Sequence, residues 1–161
     1  MRALVIGNWK MNPKSFKEAK KLLEATKNIV GSVKGISVVV APPSIYMREL
    51  TGGRRVGKVL FAAQHAHFDA EGAHTGDISM LQAKDAGASY VLIGHAERRA
   101  QGETNEDTRK KVAAALAIGL VPILCIGESK RGTGGDYFEV VRSQLRAGFG
   151  AVPASKASKV L

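Results

Sequence analysis

The chain has 161 residues, of which 45% are hydrophobic and 24% charged, and this composition suits one soluble domain with a buried core. A membrane-spanning protein is excluded, because no run approaches the roughly 18 apolar residues that span a bilayer. Its N-terminus turns polar too soon for a signal peptide, and Cys125 alone can form no internal disulfide, so a cytoplasmic location is expected. The net charge of +10 favours an anionic partner, but nine aromatic residues that do not interleave with the basic clusters argue against nucleic acid.

Five short apolar runs recur at a spacing of about 30 residues, the length of one βα unit. Most are continuous rather than alternating, as in parallel strands that helices cover on both faces. The sequence therefore predicts parallel strands at residues 4–6, 36–41, 59–63, 90–93 and 121–126.

The segments between these strands carry helix-start signals. Ser15 with Glu18 and Ser79 with Gln82 have the spacing of a capping box, and acidic residues follow Thr104. Apolar stripes at helical spacing follow these signals, and a further stripe begins at Phe138. A weaker helix is predicted within residues 43–52.

The C-terminal residues predict only the beginning of a sixth βα unit. Residues 151–158 are interpreted as a linker, and residues 159–161 as the start of a sixth strand. The expected architecture is a single α/β domain over residues 1–161, an incomplete (β/α) barrel of about five units. Both edges of its sheet would be open and aggregation-prone unless covered.

Polar residues follow the strands at their carboxyl ends. Strand one is followed by Asn8 and Lys10, strand four by His95 and Glu97, and strand five by Glu128. In a barrel these ends share one rim, where ligands bind. An amide, an ammonium, an imidazole and carboxylates at one rim suit a site that polarises a carbonyl group and holds an anion.

Four motifs carry a family resemblance across the whole chain: Gly7-Asn8-Trp9-Lys10-Met11-Asn12, Gly72-Ala73-His74-Thr75-Gly76-Asp77-Ile78-Ser79, Ile93-Gly94-His95-Ala96-Glu97-Arg98-Arg99 and Cys125-Ile126-Gly127-Glu128. In this order and spacing they resemble triosephosphate isomerase, over about the first two-thirds of a barrel of about 250 residues. The resemblance implies a TIM-type fold and interconversion of dihydroxyacetone phosphate and glyceraldehyde 3-phosphate, in glycolysis and gluconeogenesis.

The resemblance also implies the role of each site residue. Asn8 and Lys10 would bind the substrate, and Lys10 would stabilise the phosphate and the developing oxyanion. His95 would be the neutral electrophile at the carbonyl, chemistry for which this family is itself the standard worked example. Glu97 would position Lys10, and the loop containing Thr75 would lie at a subunit interface. No cofactor and no metal are expected.

The chain departs from the family pattern in ways that weaken the expected activity. The family's catalytic base is a glutamate in a Tyr-Glu-Pro-Val-Trp segment after strand six, and this residue, the lid and the later phosphate loops would lie beyond Leu161. Ala96 stands where serine is usual, His65 where asparagine is common and Asp77 where glutamate is. The chain is therefore expected to be inactive or very weak alone, and normal turnover would require another base such as Glu128.

Structural interpretations remain open for several of these residues. Lys10 and Glu97 can be a simple ion pair between strand ends. Arg98 and Arg99 are expected to form a structural salt-bridge cluster, with phosphate binding as the alternative, and Cys125 to be a small buried hydrophobe.

Three histidines, His65, His67 and His74, lie within ten residues. A metal site there is an open alternative without fixed ligand geometry.

Two other functions remain as alternatives to the isomerase. One is a non-catalytic partial barrel, or one piece of a split isomerase, that associates with further copies of itself or with a complementing C-terminal fragment. The other is binding of anions or RNA by residues 1–58, which hold twelve basic and three acidic residues.

Overall fold

The computed structural model describes residues 3–52, 58–129, 131, 134 and 137–161. Its centre is a parallel five-stranded sheet in the order β1-β2-β3-β4-β5, curled into a half-barrel with helices in the connections. The strands are β1 (Ala3–Asn8), β2 (Ile36–Ala41), β3 (Val59–Ala63), β4 (Tyr90–Ile93) and β5 (Val121–Leu124). The helices are α1 (Phe16–Ser32), α2 (Ser44–Thr51), α3 (Met80–Asp85), α4 (Ala96–Ala100), α5 (Asn105–Ala117) and α6 (Tyr137–Phe149).

The predicted incomplete barrel is confirmed, and most strand bounds agree with the apolar runs. β1 is longer than predicted and β5 ends at Leu124 rather than at residue 126. The strands pair in sequence order, with Ala3 opposite Ile36, Val38 opposite Val59 and Tyr90 opposite Val121. Sequential parallel pairing places every strand's carboxyl end at the same rim.

The helices α1, α3 and α5 begin at the predicted capping residues. Ser79 and Gln82 form a complete capping box at α3, and Ser15 accepts a hydrogen bond from the amide of Glu18 at 3.3 Å. Thr104 forms a second complete box, with Asp107 as its partner. These bonds satisfy amides that have no partner within the helix.

The core has two parts, one on each face of the sheet. The larger packs the outer face against the helices and includes Leu23, Val91 and Val112. The smaller lies on the other face and consists of the buried residues Val39, Ala41, Ala62, Leu92 and Ile123. These side chains fill the interior of the half-barrel, as inward-facing residues do in a small barrel.

The C-terminal residues differ from the expected linker. A 3₁₀ helix occupies Ala154–Lys159. After it, the amide of Leu161 donates to the carbonyl of Pro122 at 3.0 Å, and the amide of Leu124 donates to the carbonyl of Leu161 at 2.7 Å. Leu161 therefore lies along the edge of β5, where the sixth strand of a barrel would pair.

The opposite edge of the sheet is open among the described residues, because β1 pairs with β2 alone. Val5 is 52% exposed and Ile6 is 37% exposed on this strand. None of the described helices combines the length and apolar character needed to cross a membrane.

Candidate active site

The four predicted site residues follow two strands that are not neighbours in the sheet. Asn8 ends β1 and Lys10 follows it, whereas His95 is the N-cap of α4 and Glu97 lies in that helix's first turn. The curl brings these strand ends together, because Lys10 Nζ donates to Glu97 Oε1 at 2.8 Å. The contact expected between Lys10 and Glu97 is thus present.

The backbone of Lys10 has an unusual conformation. Its φ of +55° makes it the one non-glycine residue with positive φ in the part of the chain that the structure describes. Asn8 Oδ1 accepts from the amide of Lys10 at 2.9 Å. Gln64 Nε2 donates to the carbonyls of Lys10 and Ala41 at 2.8 and 2.7 Å. These bonds hold a conformation that costs about 1–2 kcal/mol for an L-residue.

The hydrogen bond at the start of α4 fixes the tautomer of a neutral His95. Its Nδ1 accepts from the amide of Glu97 at 3.3 Å, so Nδ1 carries no proton. The remaining proton is on Nε2, which becomes the donor of the imidazole. A neutral imidazole with an Nε2–H group can polarise a carbonyl oxygen.

The carboxylate of Glu97 lies between the two nitrogenous side chains of the site. Oε1 accepts from Lys10, and Oε2 lies 3.6 Å from His95 Nδ1. The hydrogen bond from Lys10, followed by the charge of Lys10, lowers the pKa of Glu97. Glu97 is therefore an ionised partner for Lys10 near neutral pH and a weak base.

Both arginines of α4 bind groups of the protein itself. Arg99 Nε donates to the carbonyl of Gly94 at 2.8 Å and Nη1 to Asn105 Oδ1 at 2.9 Å. Arg98 Nη1 donates to Gln101 Oε1 at 3.0 Å. Gly94 has φ +72°, and a Cβ there would lie 2.7 Å from Arg99 Nη2, so this turn requires glycine. These contacts favour a structural role for both arginines, but the partners are neutral groups rather than the carboxylates of the expected salt-bridge cluster.

His65 lies among charged residues beneath the rim. Lys111 Nζ lies 3.4 Å from His65 Nδ1, Arg98 Nη2 lies 3.3 Å from Nε2, and Asp77 Oδ1 lies 3.5 Å from the same Nε2. Burial, followed by the charges of Lys111 and Arg98, lowers the pKa of His65. No single neutral tautomer of His65 satisfies all three contacts: with the proton on Nε2 it accepts from Lys111 and donates to Asp77, and with the proton on Nδ1 it accepts from Arg98.

A buried ion pair supports this region. Lys111 Nζ bonds Glu103 Oε1 at 2.8 Å, and their side chains are 6% and 3% exposed. Glu103 Oε2 is buried without a hydrogen-bond partner among the described residues. The periodicity of α5 did not reveal this pair.

Glu128, which follows β5, is a poor candidate for a general base. Arg131 Nε donates to Glu128 Oε1 at 2.7 Å, and this bond lowers the pKa of Glu128. Burial raises the pKa of the half-buried Cys125 thiol, as expected for a small hydrophobe.

A cavity of about 410 Å³, lined in part by Ala96, Arg99 and Glu128, opens beside the start of α4.

The sequence indicated two further features only in part. Gln64 directly follows β3, but no sequence pattern predicted its bond to the carbonyl of Lys10. Thr75 lies in an exposed loop between β3 and α3, and its place at a subunit interface stays a prediction. His67, His74 and Asp77 cluster near that loop, with nitrogen or oxygen atoms that all lie within 4.8 Å of one another.

Comparison with known proteins agrees with this geometry. The sequence model of the family described as triosephosphate isomerase matches residues 3–161. The chain is 37% identical over 159 residues to "Triosephosphate isomerase" of Endomicrobium trichonymphae, covering 98% of this chain and 63% of that protein. It is 39% identical over 162 residues to the protein of the same name from Citrifermentans bemidjiense, covering 99% of this chain and 64% of the relative.

The chain thus spans somewhat less than two-thirds of the length of these relatives. The matched residues include both strand ends that carry the candidate site. The chain belongs to the triosephosphate isomerase family.

Proposed function

We propose that this chain provides the carbonyl-polarising and anion-binding half of a triosephosphate isomerase site, and that it is inactive or very weak as an isomerase alone. The reaction is the interconversion of dihydroxyacetone phosphate and glyceraldehyde 3-phosphate, in the cytoplasm. The observation that carries the proposal is the hydrogen bond from the amide of Glu97 to His95 Nδ1, which leaves Nε2 as the donor of a neutral imidazole, beside the Lys10–Glu97 pair.

The proposed chemistry uses each side chain in a separate role. A base removes a proton from the carbon next to the carbonyl group, and negative charge develops on the carbonyl oxygen. His95 Nε2–H donates to that oxygen, and the ammonium of Lys10 stabilises the oxyanion and the phosphate. The Lys10 side chain is 53% exposed, so an anionic substrate can reach it. Asn8 would bind the substrate through its amide NH₂ group, since its Oδ1 accepts from Lys10.

The weak point of the chain as an enzyme is the base. The family resemblance assigns that role to a glutamate beyond the matched span. Glu97 and Glu128 are bonded to Lys10 and Arg131, and both have lowered pKa values. A carboxylate held in this way is a poor acceptor for a carbon-bound proton. Loss of a general base costs about 10²–10⁴ in rate.

A coupled assay with glyceraldehyde 3-phosphate tests this half-site proposal. The chain alone should turn over at least about 10²-fold more slowly than a full-length relative. Adding a fragment that carries the remaining third of the Citrifermentans bemidjiense relative should restore activity, and His95→Gln should abolish the restored activity. Normal turnover by the chain alone would contradict the proposal.

A non-catalytic role through association is the second candidate. The exposed Val5 and Ile6 on the open edge favour it, as does Leu161 on the other edge. The partner would be a second copy or a complementing C-terminal fragment, with the Thr75 loop at the interface. The relatives' remaining third corresponds to about three βα units of about 30 residues. Light scattering that shows a stable monomer, with no increase in mass when the C-terminal fragment is added, would exclude this role.

A further inference from the structure

The loop between β3 and α3 is closed at its base. The amide of His67 donates to the carbonyl of Ile78 at 2.7 Å, and His67 forms an isolated parallel bridge with Ser79. Ser79 is in turn fixed as the N-cap of α3 by its capping box. The two ends of the loop, and hence His67 and Asp77, are therefore kept close together.

The middle of the loop folds back over this base. The rings of His67 and His74 stack with centroids 3.9 Å apart and planes at 27°. His74 Nε2 lies 3.0 Å from Asp69 Oδ2. A Cβ on Gly72 would lie 3.1 Å from the ring of His74, so glycine lets the imidazole take this place.

The resulting pocket has the opposite charge character to the chain. Its volume is about 180 Å³, and its lining includes the carboxylates of Asp69, Glu71 and Asp77 with the imidazoles of His67 and His74. No lysine or arginine is among the described lining residues. This carboxylate-rich lining contrasts with the chain's net charge of +10. Such a lining attracts a cation.

We propose that His67, His74 and Asp77 bind one divalent transition-metal ion of the Zn²⁺ type, separate from the isomerase site. Two imidazoles and one carboxylate are ligands that favour Zn²⁺ over Ca²⁺ or Mg²⁺, which prefer oxygen. Three protein ligands leave the fourth tetrahedral position to water.

The distances require side-chain rotation, and His67 must also give up the hydrogen bond that its Nδ1 accepts from the amide of Asp69 at 3.0 Å. Bonds of about 2.0–2.2 Å place tetrahedral ligand atoms roughly 3.4 Å apart. The potential ligand atoms here already lie within 4.8 Å of one another. His74 and Asp77 are exposed and can rotate inward. Asp69 is suited to accept the remaining N–H of a bound imidazole, which is the common partner arrangement of metal-bound histidine.

Titration calorimetry with ZnCl₂ on the full chain tests the site. One ion per chain should bind, and unfolding should shift to higher temperature with Zn²⁺. His74→Ala and Asp77→Asn should each weaken binding at least about tenfold, and Asp69→Asn should weaken it about 10–100-fold as an outer partner. Circular dichroism checks that each variant folds.

His95→Gln is the matched control, because it removes one imidazole outside the cluster and should leave Zn²⁺ affinity unchanged. Co²⁺ provides a second readout, since a thiolate ligand gives a strong charge-transfer band in the near ultraviolet and this site should give none. Unchanged affinity in His74→Ala, loss of binding in His95→Gln, or a thiolate band that disappears in Cys125→Ser would each overturn the proposal.

Discussion

Lys10 and Glu97 are 87 positions apart in the chain, yet their side chains are joined at 2.8 Å across the mouth of the half-barrel. Their strands, β1 and β4, are separated in the sheet by two others. The pair therefore forms only because the sheet is curled, and it sets the charge of the candidate site.

The positive φ of Lys10 predicts a difference between two variants that lose the same ammonium group. Lys10→Gly should be more stable than Lys10→Ala by about 1 kcal/mol, because glycine adopts this conformation without a Cβ penalty. Urea unfolding of both variants measures the difference. Equal stabilities would show that the conformation is not strained.

Removal of the ammonium should also change the titration of Glu97. In Lys10→Met the pKa of Glu97 should rise toward its ordinary value of 4.5, since the main cause of its lowering is the bond from Lys10. Carboxyl NMR signals measure this pKa. The pKa of Glu106, which is lowered by its hydrogen bond from Arg109, should stay unchanged in this variant and serves as the control.

The sign of the associated stability change follows from linkage. The folded-state pKa of Glu97 lies below its unfolded value, so the pair stabilises the fold above about pH 4.5. This contribution is lost as the pH falls through the lower, folded-state pKa. Lys10→Met should therefore flatten the acid side of the stability curve, and an unchanged acid profile would contradict the link.

The buried pair Lys111–Glu103 should be costly to break on one side. Lys111→Met should destabilise the fold by about 3–5 kcal/mol, because it leaves the Glu103 carboxylate buried without its cation. Glu103→Leu combined with Lys111→Met should recover most of that loss. Arg142→Met, which breaks an exposed pair with Glu139, should cost less than about 1 kcal/mol in the same unfolding experiment.

Two helical glycines predict opposite effects of the same substitution. A Cβ on Gly31 in α1 would meet open space, so Gly31→Ala should stabilise by about 0.5–1 kcal/mol. A Cβ on Gly148 in α6 would overlap the Leu124 side chain, so Gly148→Ala should destabilise by about 1 kcal/mol after the helix gain is subtracted. Thermal unfolding of both variants checks the contrast. The same sign for both would be inconsistent with this packing.

The sequence predicted what depends on local pattern. Continuous apolar runs located all five strands, and capping residues located the starts of α1, α3 and α5. The shared rim of parallel strands explains why Lys10 and Glu97 meet, although their roles in catalysis remain predictions.

Features that depend on which elements face each other were not predictable. Lys111 lies on a helix whose periodicity does not show that Glu103 and His65 face it. The 3₁₀ helix at Ala154–Lys159 was mistaken for a linker, because six residues of alanine, serine and lysine carry no apolar period. The stacking of His74 on His67 depends on a loop fold that spacing alone does not encode.

The backbone conformation of the candidate site depends on one side-chain amide, that of Gln64. Its Nε2 faces two carbonyl oxygens, those of Lys10 and Ala41. Deamidation to glutamate would replace this donor with an acceptor, and two attractions would become repulsions. Deamidation of this single glutamine, with no change in the gene, would therefore remove the hydrogen bonds that hold the backbone of Lys10 in the candidate site.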